Sequence, residues 1–177
     1  MMSNVKLKLD LVCQVAVVVR DLDASLANFR KLVDIEDDSI SRHDSLPAIE
    51  DGSLSPQIYK GVEEKYGYQQ VNFFFGGMDI EMFAPIDDKP GNPMVDFLNE
   101  HGPGIHHLNI RLANRQEGID FLQQDLGIVP LMECWSFGRH CAYFDMREQL
   151  GIVFEIGSRV VGPRAKMSAE EIEALCR

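Results

Sequence analysis

The sequence predicts an α+β fold that contains two copies of one βαβββ unit. Residues 14–35, "QVAVVVRDLDASLANFRKLVDI", align without gaps on residues 107–128, "HLNIRLANRQEGIDFLQQDLGI", at an offset of 93. Each segment begins with an apolar strand and continues with apolar residues at helical spacing. Each half then ends in a strand with a carboxylate among apolar residues, "DIEMF" and "VFEIG". Self-similarity of this kind indicates an internal repeat.

The first half begins with a strand and a helix. Residues 14–19, "QVAVVV", form a β-branched run that is typical of a buried strand. In residues 20–35 the apolar side chains recur every three or four positions, which predicts one buried helical face. Asp21 or Asp23 is available as the N-cap of this helix.

A long polar segment and a hairpin complete the first half. Residues 36–68 contain loop-forming stretches such as "SLPAIEDGSLSP" and are too long for an ordinary connection. We therefore expect a lid, an excursion from the fold or a disordered insert. Residues 70–85 predict a hairpin that turns at Gly76 and Gly77.

The second half repeats this order after a short linker. The linker, residues 89–104, contains a short predicted helix around Met94–Asn99. The strand "IHHLNIRL" follows, then an amphipathic helix that ends at Gly127, and residues 140–158 supply two further strands. The tail "MSAEEIEALCR" has the spacing of a capping box and predicts a terminal helix.

These elements form one predicted domain over residues 1–177. Module one covers about 10–86 and includes the insert 36–68. Module two covers about 104–158, and the terminal helix covers about 168–176.

Composition excludes several classes of protein. The net charge of −11 leaves no basic patch for nucleic acid. No apolar stretch is long enough for a secretory signal or a membrane span. The four cysteines show no CxxC pair and no zinc-ribbon spacing, which favours reduced thiols. We therefore expect a cytoplasmic protein with no membrane partner.

Four polar residues occupy matched positions in otherwise apolar strands. Gln14 and His107 begin the first strand of each half, and Glu81 and Glu155 lie in the last. Two buried carboxylates need a shared counter-charge, and no lysine or arginine recurs at matched positions. A divalent cation would supply it, and this mixed N/O donor set suits Zn, Mn, Fe, Co or Ni.

The chain resembles the vicinal oxygen chelate superfamily over nearly all of residues 10–158. Residues 80–112, "IEMFAPIDDKPGNPMVDFLNEHGPGIHHLNIRL", are similar to methylmalonyl-CoA epimerases, which have an IELL-type strand, a proline and then FL…G-GIHH. Residues 14–29, "QVAVVVRDLDASLANF", are similar to lactoylglutathione lyases, some of which have Gln as this metal ligand.

The resemblance implies a cupped mixed β-sheet made by the paired modules, with helices outside, and a homodimer. It implies that His107 is the metal ligand, whereas His106 points to the opposite face or packs the strand. Two departures stand out. Gln69 and Gln70 lie where a second carboxylate base of epimerases is expected, and "DMREQLG" replaces the "DPDG" turn of the lyases.

Both enzyme branches abstract a proton next to a carbonyl, and the metal stabilises the resulting enediolate. Glu155 is the first candidate for the base and Glu81 is its partner. Strand alternation directs three further polar side chains to the face of Glu81 and His107, and one histidine precedes a later strand. These four candidates for substrate binding are Asp79, Asn109, Arg111 and His140.

Three functions remain open from the sequence. The first is a metal-dependent isomerase or epimerase that acts on a small acyl thioester. The second is a lyase that acts on a hemithioacetal, as lactoylglutathione lyases do. The third is a protein that binds a small molecule on the same scaffold without turnover.

Overall fold

The computed structural model describes residues 6–157, which form one mixed β-sheet with helices. The strands are β1 (Leu9–Val18), β2 (Ser41–Asp44), β3 (Leu54–Tyr59), β4 (Val62–Glu63), β5 (Tyr68–Phe75), β6 (Met78–Pro85), β7 (Gly104–Leu112), β8 (Pro130–Ser136), β9 (Arg139–Met146) and β10 (Ile152–Ile156). The α-helices are α1 (Leu22–Leu32), α2 (Leu46–Glu50), α3 (Pro93–His101), α4 (Arg115–Asp120) and α5 (Arg147–Leu150). The predicted terminal helix at 168–176 lies outside the described residues.

The sheet confirms the predicted fold class. Its strand order is β2-β5-β6-β1-β7-β10-β9-β8-β3-β4. The first module supplies β2-β5-β6-β1 and the second supplies β7-β10-β9-β8. The modules meet where β1 pairs antiparallel with β7, while β6 and β10 run parallel to these two central strands.

Strand register confirms the offset of 93 independently of sequence similarity. Gln14 pairs with Asn109, and Ala16 pairs with His107. A pseudo-twofold axis that maps Gln14 onto His107 also maps Ala16 onto Asn109. It therefore exchanges the pair Gln14–Asn109 with the pair Ala16–His107. In the same way Glu81 lies beside Ala16, and Glu155 lies beside Asn109. The two glutamates are therefore equivalent positions of the repeat.

The insert 36–68 is an ordered excursion that contains a strand of the first module. Its strand β2 pairs with β5, as the third element of a βαβββ unit must. The chain then crosses to the far edge of the sheet, where β3 pairs with β8 of the second module. Gln57 in β3 donates from Nε2 to the carbonyl oxygen of Tyr66, 3.1 Å away, just before the chain returns to β5. The excursion thus spans both modules.

Local capping explains where the main helices begin. Asp21 accepts from the amide of Ala24 at 2.9 Å and begins α1, which selects it over Asp23 as the N-cap. Asn92 caps α3 in the same way through the amide of Met94. Helix α4 ends in a single π-helical turn, and Gly127 follows with φ 67°, as expected of a C′ glycine.

Three apolar clusters stabilise the sheet. One packs α1 against β5 and β6, and a second packs α4 against β9 and β10. The third lies on the opposite, concave face and continues into the cavity described below. None of the helices within residues 6–157 has the length and apolar character needed to cross a bilayer.

Phe73 and Phe144 provide a test of the repeat, because each is fully buried at the equivalent position of its module. We expect Phe73→Ala and Phe144→Ala each to lower the free energy of unfolding by about 3–5 kcal/mol in chemical denaturation. Phe75→Ala, at a side chain that is 42% exposed, is the control and should cost less than about 1 kcal/mol. A cost near that of the control at either buried position would contradict the packing described here.

Candidate metal centre

Three buried side chains from three adjacent strands converge on the concave face. They are Glu81 in β6, His107 in β7 and Glu155 in β10. One donor atom from each lies within 4.8 Å of the others. Their exposed fractions are 3%, 1% and 4%, so water does not offset the charge of the two carboxylates. This group could hold a metal ion.

The distance between His107 and Glu155 fits two ligands of one cation as well as it fits an ion pair. His107 Nε2 lies 3.0 Å from Glu155 Oε2 and 3.9 Å from Glu81 Oε2. Neither His107 Nε2 nor Glu155 Oε2 has a hydrogen-bond partner within residues 6–157, although both atoms are buried. Ligands bonded at about 2.1 Å and at right angles lie about 3.0 Å apart. A cation between the two atoms would satisfy both.

Gln14 lines the same cavity from β1 and presents its amide in a defined orientation. Its Nε2 donates to Asp79 Oδ2 at 2.9 Å. This bond leaves the carbonyl oxygen as the end of the amide that is available to a cation. Asp79 lies beside Gln14 in the parallel pairing of β6 with β1, which explains the contact.

The two glutamates are equivalent in the repeat but differ in their surroundings. Glu81 Oε1 accepts hydrogen bonds from Gln70 Nε2 at 2.5 Å and from Asn72 Nδ2 at 3.4 Å. Both amides belong to β5, the strand next to β6. Glu155 Oε2, by contrast, accepts no hydrogen bond from residues 6–157. The Glu155 carboxylate is therefore held less rigidly than that of Glu81.

His106 also lines the cavity. The expectation that it points to the opposite face is therefore wrong. The alternative expectation, that it helps to pack the strand, is confirmed. The pairing of β1 with β7 passes from Ala16 and His107 to Val17 and Ile105, which leaves His106 unpaired in a bulge. The bulge turns both imidazoles to one side. His106 packs edge-on against Phe97, and burial together with the neighbouring His107 lowers its pKa to about 3.

A cavity of about 700 Å³ opens above these residues. Its walls include aromatic side chains from both modules, namely Tyr66, Tyr68, Phe83, Phe137 and Tyr143. Tyr143 packs edge-on against His107 with ring centroids 5.0 Å apart. Burial, and to a smaller extent the charge of Glu155, raises the pKa of Tyr143 well above its usual value, so that its phenol stays neutral. Arg42, His43 and Arg139 add positive or ionisable groups to the lining.

Two of the four predicted substrate-binding residues lie beneath the site rather than in the cavity wall. Asp79 is buried and holds Gln14. Asn109 is buried beside Glu155 in the pairing of β7 with β10. Both face the concave side, as strand alternation predicts, but neither lines the cavity. Their role in substrate binding stays a prediction, and the geometry indicates support of the ligands instead.

The other two lie away from the cavity. Arg111 is near the far end of β7 and approaches Asp10 at 3.9 Å, with its side chain 39% exposed. His140 Nε2 donates to Glu133 Oε1 at 2.9 Å, Arg115 donates to His140 Nδ1 at 3.1 Å, and the imidazole stacks on Trp135. Burial lowers the pKa of His140. Neither residue lines the cavity, so the structure gives their predicted substrate role no support.

Several cavity residues were not predicted from the sequence. Gln70 and Asn72 were not recognised as the groups that hold Glu81, although their alternation with apolar residues in β5 was a usable signal. His43 lies at an exposed position of β2 and also lines the cavity, which no sequence pattern indicated. Arg139 is the first residue of β9, directly after the β8–β9 turn. No sequence pattern distinguished it as a cavity residue.

The paired modules and the buried donor set define a protein of the vicinal oxygen chelate type. The family model of the glyoxalase/bleomycin resistance protein/dioxygenase superfamily matches residues 13–140, and the chain belongs to this superfamily. A search of the curated proteins finds no match.

Several solved structures share the fold. A methylmalonyl-CoA epimerase from Mycobacterium tuberculosis is 16% identical, with 89% of this chain and 91% of that chain covered and a TM-score of 0.54. A variant of the Streptomyces coelicolor methylmalonyl-CoA epimerase, in complex with 2-nitronate-propionyl-CoA, is 15% identical, with coverages of 86% and 97% and a TM-score of 0.57. A hypothetical protein from Bacillus halodurans is 17% identical, with coverages of 86% and 92% and a TM-score of 0.53. Identities this low support a common fold and no more.

Metal titration tests the site directly. We expect the purified chain to bind one divalent ion per molecule in isothermal titration calorimetry with zinc, cobalt and nickel. His107→Ala and Glu81→Gln should each weaken binding by at least about tenfold, because each removes a ligand or its charge. His140→Ala is the control, since His140 lies outside the cavity. Unchanged affinity in the His107 variant would contradict the site.

Proposed function

We propose that this chain is a metal-dependent isomerase or epimerase that abstracts a proton next to the carbonyl of a small acyl thioester. The observation that carries the proposal is the pair of buried carboxylates beside His107 at the base of a 700 Å³ cavity. The proposed ligands are Gln14, Glu81, His107 and Glu155. A divalent cation bound there would supply positive charge that stabilises the oxyanion formed as the proton leaves.

Glu155 is the proposed base. Its carboxylate faces the cavity, and its Oε2 accepts no hydrogen bond from the described residues, so this oxygen is available to a substrate proton. Glu81 is the proposed partner across the pseudo-twofold axis. Its Oε1 is held by Gln70 and Asn72, which directs Oε2 towards His107 Nε2. An epimerase must remove a proton and return one, and two carboxylates within 4.8 Å of each other could share these roles.

The lining of the cavity supports an anionic substrate. Arg42 and Arg139 are the two residues of fixed positive charge in this lining, in a chain whose net charge is −11. Arg42 is engaged with Asp23 at 2.7 Å, whereas no ion pair within residues 6–157 engages Arg139. A carboxylate or phosphate on the substrate would meet these guanidinium groups. Because two structural neighbours are methylmalonyl-CoA epimerases, an acyl-CoA is the first substrate to test, on the basis of fold analogy.

Proton exchange tests this function. We expect the metal-loaded chain to exchange the α-proton of methylmalonyl-CoA into heavy water, as measured by mass spectrometry. Glu155→Gln should slow exchange by about 100-fold or more because the amide cannot accept the proton. Glu148→Gln, the same substitution at an exposed position of α5, should leave the rate unchanged. If no acyl-CoA exchanges its proton with fully metal-loaded protein, this function is wrong.

A lyase that acts on a hemithioacetal is the second candidate, because the proposed ligand from β1 is an amide and not an imidazole. Gln14 is oriented by Asp79 as such a ligand would need to be. For this function we expect the absorbance of a methylglyoxal–glutathione adduct to fall only when metal is present. An unchanged trace with nickel, cobalt and zinc in turn would exclude the lyase.

A binding protein without turnover is the third candidate. Metal-loaded protein that binds an acyl thioester or a hemithioacetal adduct, yet leaves both chemically unchanged, would favour it. For all three functions we propose a homodimer in the cytoplasm, as the resemblance and the composition imply.

A further inference from the structure

We propose that His106 is a positioning residue that fixes His107 in the tautomer required for metal binding. The inference rests on the proposed metal site and adds a residue to it that is not a ligand. His106 is nine-tenths buried and touches the proposed ligand His107 directly. Nothing in the reaction proposed above uses it.

The contact between the two imidazoles is a hydrogen bond between like atoms. His106 Nδ1 and His107 Nδ1 lie 2.8 Å apart, and the rings are nearly perpendicular at 85°. Consecutive residues of a regular strand point to opposite faces, so only the bulge at His106 permits this approach. One nitrogen must donate and the other must accept.

The surroundings of His107 decide which nitrogen donates. Its Nε2 faces the carboxylates of Glu155 and Glu81, at 3.0 and 3.9 Å. A cation at this position needs the lone pair of Nε2, so the single proton of the neutral ring must be on Nδ1. His107 Nδ1 therefore donates to His106 Nδ1, and His106 carries its own proton on Nε2.

The opposite arrangement would block the site. If His106 Nδ1 donated, the His107 proton would lie on Nε2 and would point towards the two carboxylates, where the cation belongs. A metal-bound histidine usually donates its second N–H to a carboxylate, a carbonyl or water. Here the acceptor is a neutral imidazole. It therefore orients His107 without adding a third negative charge to a site that already buries two.

Two substitutions at one position separate hydrogen bonding from packing. In His106→Asn the amide oxygen can occupy the place of Nδ1 and accept the same bond. In His106→Phe the ring that packs on Phe97 is kept but the acceptor is lost. We expect His106→Phe to weaken zinc affinity by about 10- to 100-fold, and His106→Asn to stay within about threefold of the unchanged chain. His140→Phe is the matched control and should leave the affinity unchanged.

Nitrogen-15 NMR of the histidine rings in the zinc-loaded chain supplies a readout that does not depend on activity. We expect His107 to carry its proton on Nδ1 with scalar coupling through the hydrogen bond to His106 Nδ1, and we expect His106 to carry its own proton on Nε2. A His106 that carries its proton on Nδ1 in the zinc-loaded chain would overturn the inference. Equal loss of zinc affinity in the Phe and Asn variants, or full affinity in a folded His106→Phe variant, would also overturn it. Zinc binding and the ring spectra need no substrate, so a chain that binds zinc but exchanges no acyl-CoA proton contradicts the proposed function alone, while the NMR result still judges the role of His106.

Discussion

The burial of two carboxylates around one imidazole is the constraint on which the rest of the structure depends. Glu81 and Glu155 lie in strands that flank the central pair β1 and β7, where solvent cannot screen their charge. Such an arrangement is costly unless a counter-charge balances it. Amides from β5 offset part of the cost at Glu81 only. The remaining charge lies beside His107 Nε2, where a bound cation would balance it.

Much of the fold and of the proposed ligand set could be predicted from the sequence, because both depend on the local spacing of apolar and polar residues. Residues 14–35 and 107–128 share the same spacing of apolar side chains, so the offset of 93 could be found from the sequence alone. It agrees with the register of β1 and β7. Polar residues at matched positions in apolar strands are conspicuous for the same reason. The sequence narrowed the N-cap of α1 to Asp21 or Asp23, because an Asx side chain that accepts the N3 amide acts within one turn, and the structure selects Asp21.

The features that escaped prediction depend on contacts between distant parts of the chain. No local pattern indicates that β3 pairs with β8. The βαβββ repeat requires a strand between α4 and β9, but the sequence analysis did not locate it at residues 130–136. Strand alternation correctly assigned Asp79 and Asn109 to the concave face. It does not indicate whether a side chain on that face reaches the cavity wall or lies beneath the ligands. It failed at His106 because a bulge breaks the period of two, and bulges arise from the fit between strands rather than from either strand alone.

The two outermost strands of the sheet have a consequence for how molecules of this protein can meet. Strand β2 has four residues, three of them ionisable, and β4 has only two residues. A short or charged border offers few unpaired backbone groups to a neighbouring chain, so growth of the sheet into a continuous intermolecular ribbon is disfavoured. Association through side-chain surfaces is therefore favoured over pairing of strand edges, and β3 covers the edge that the longer β8 would otherwise expose.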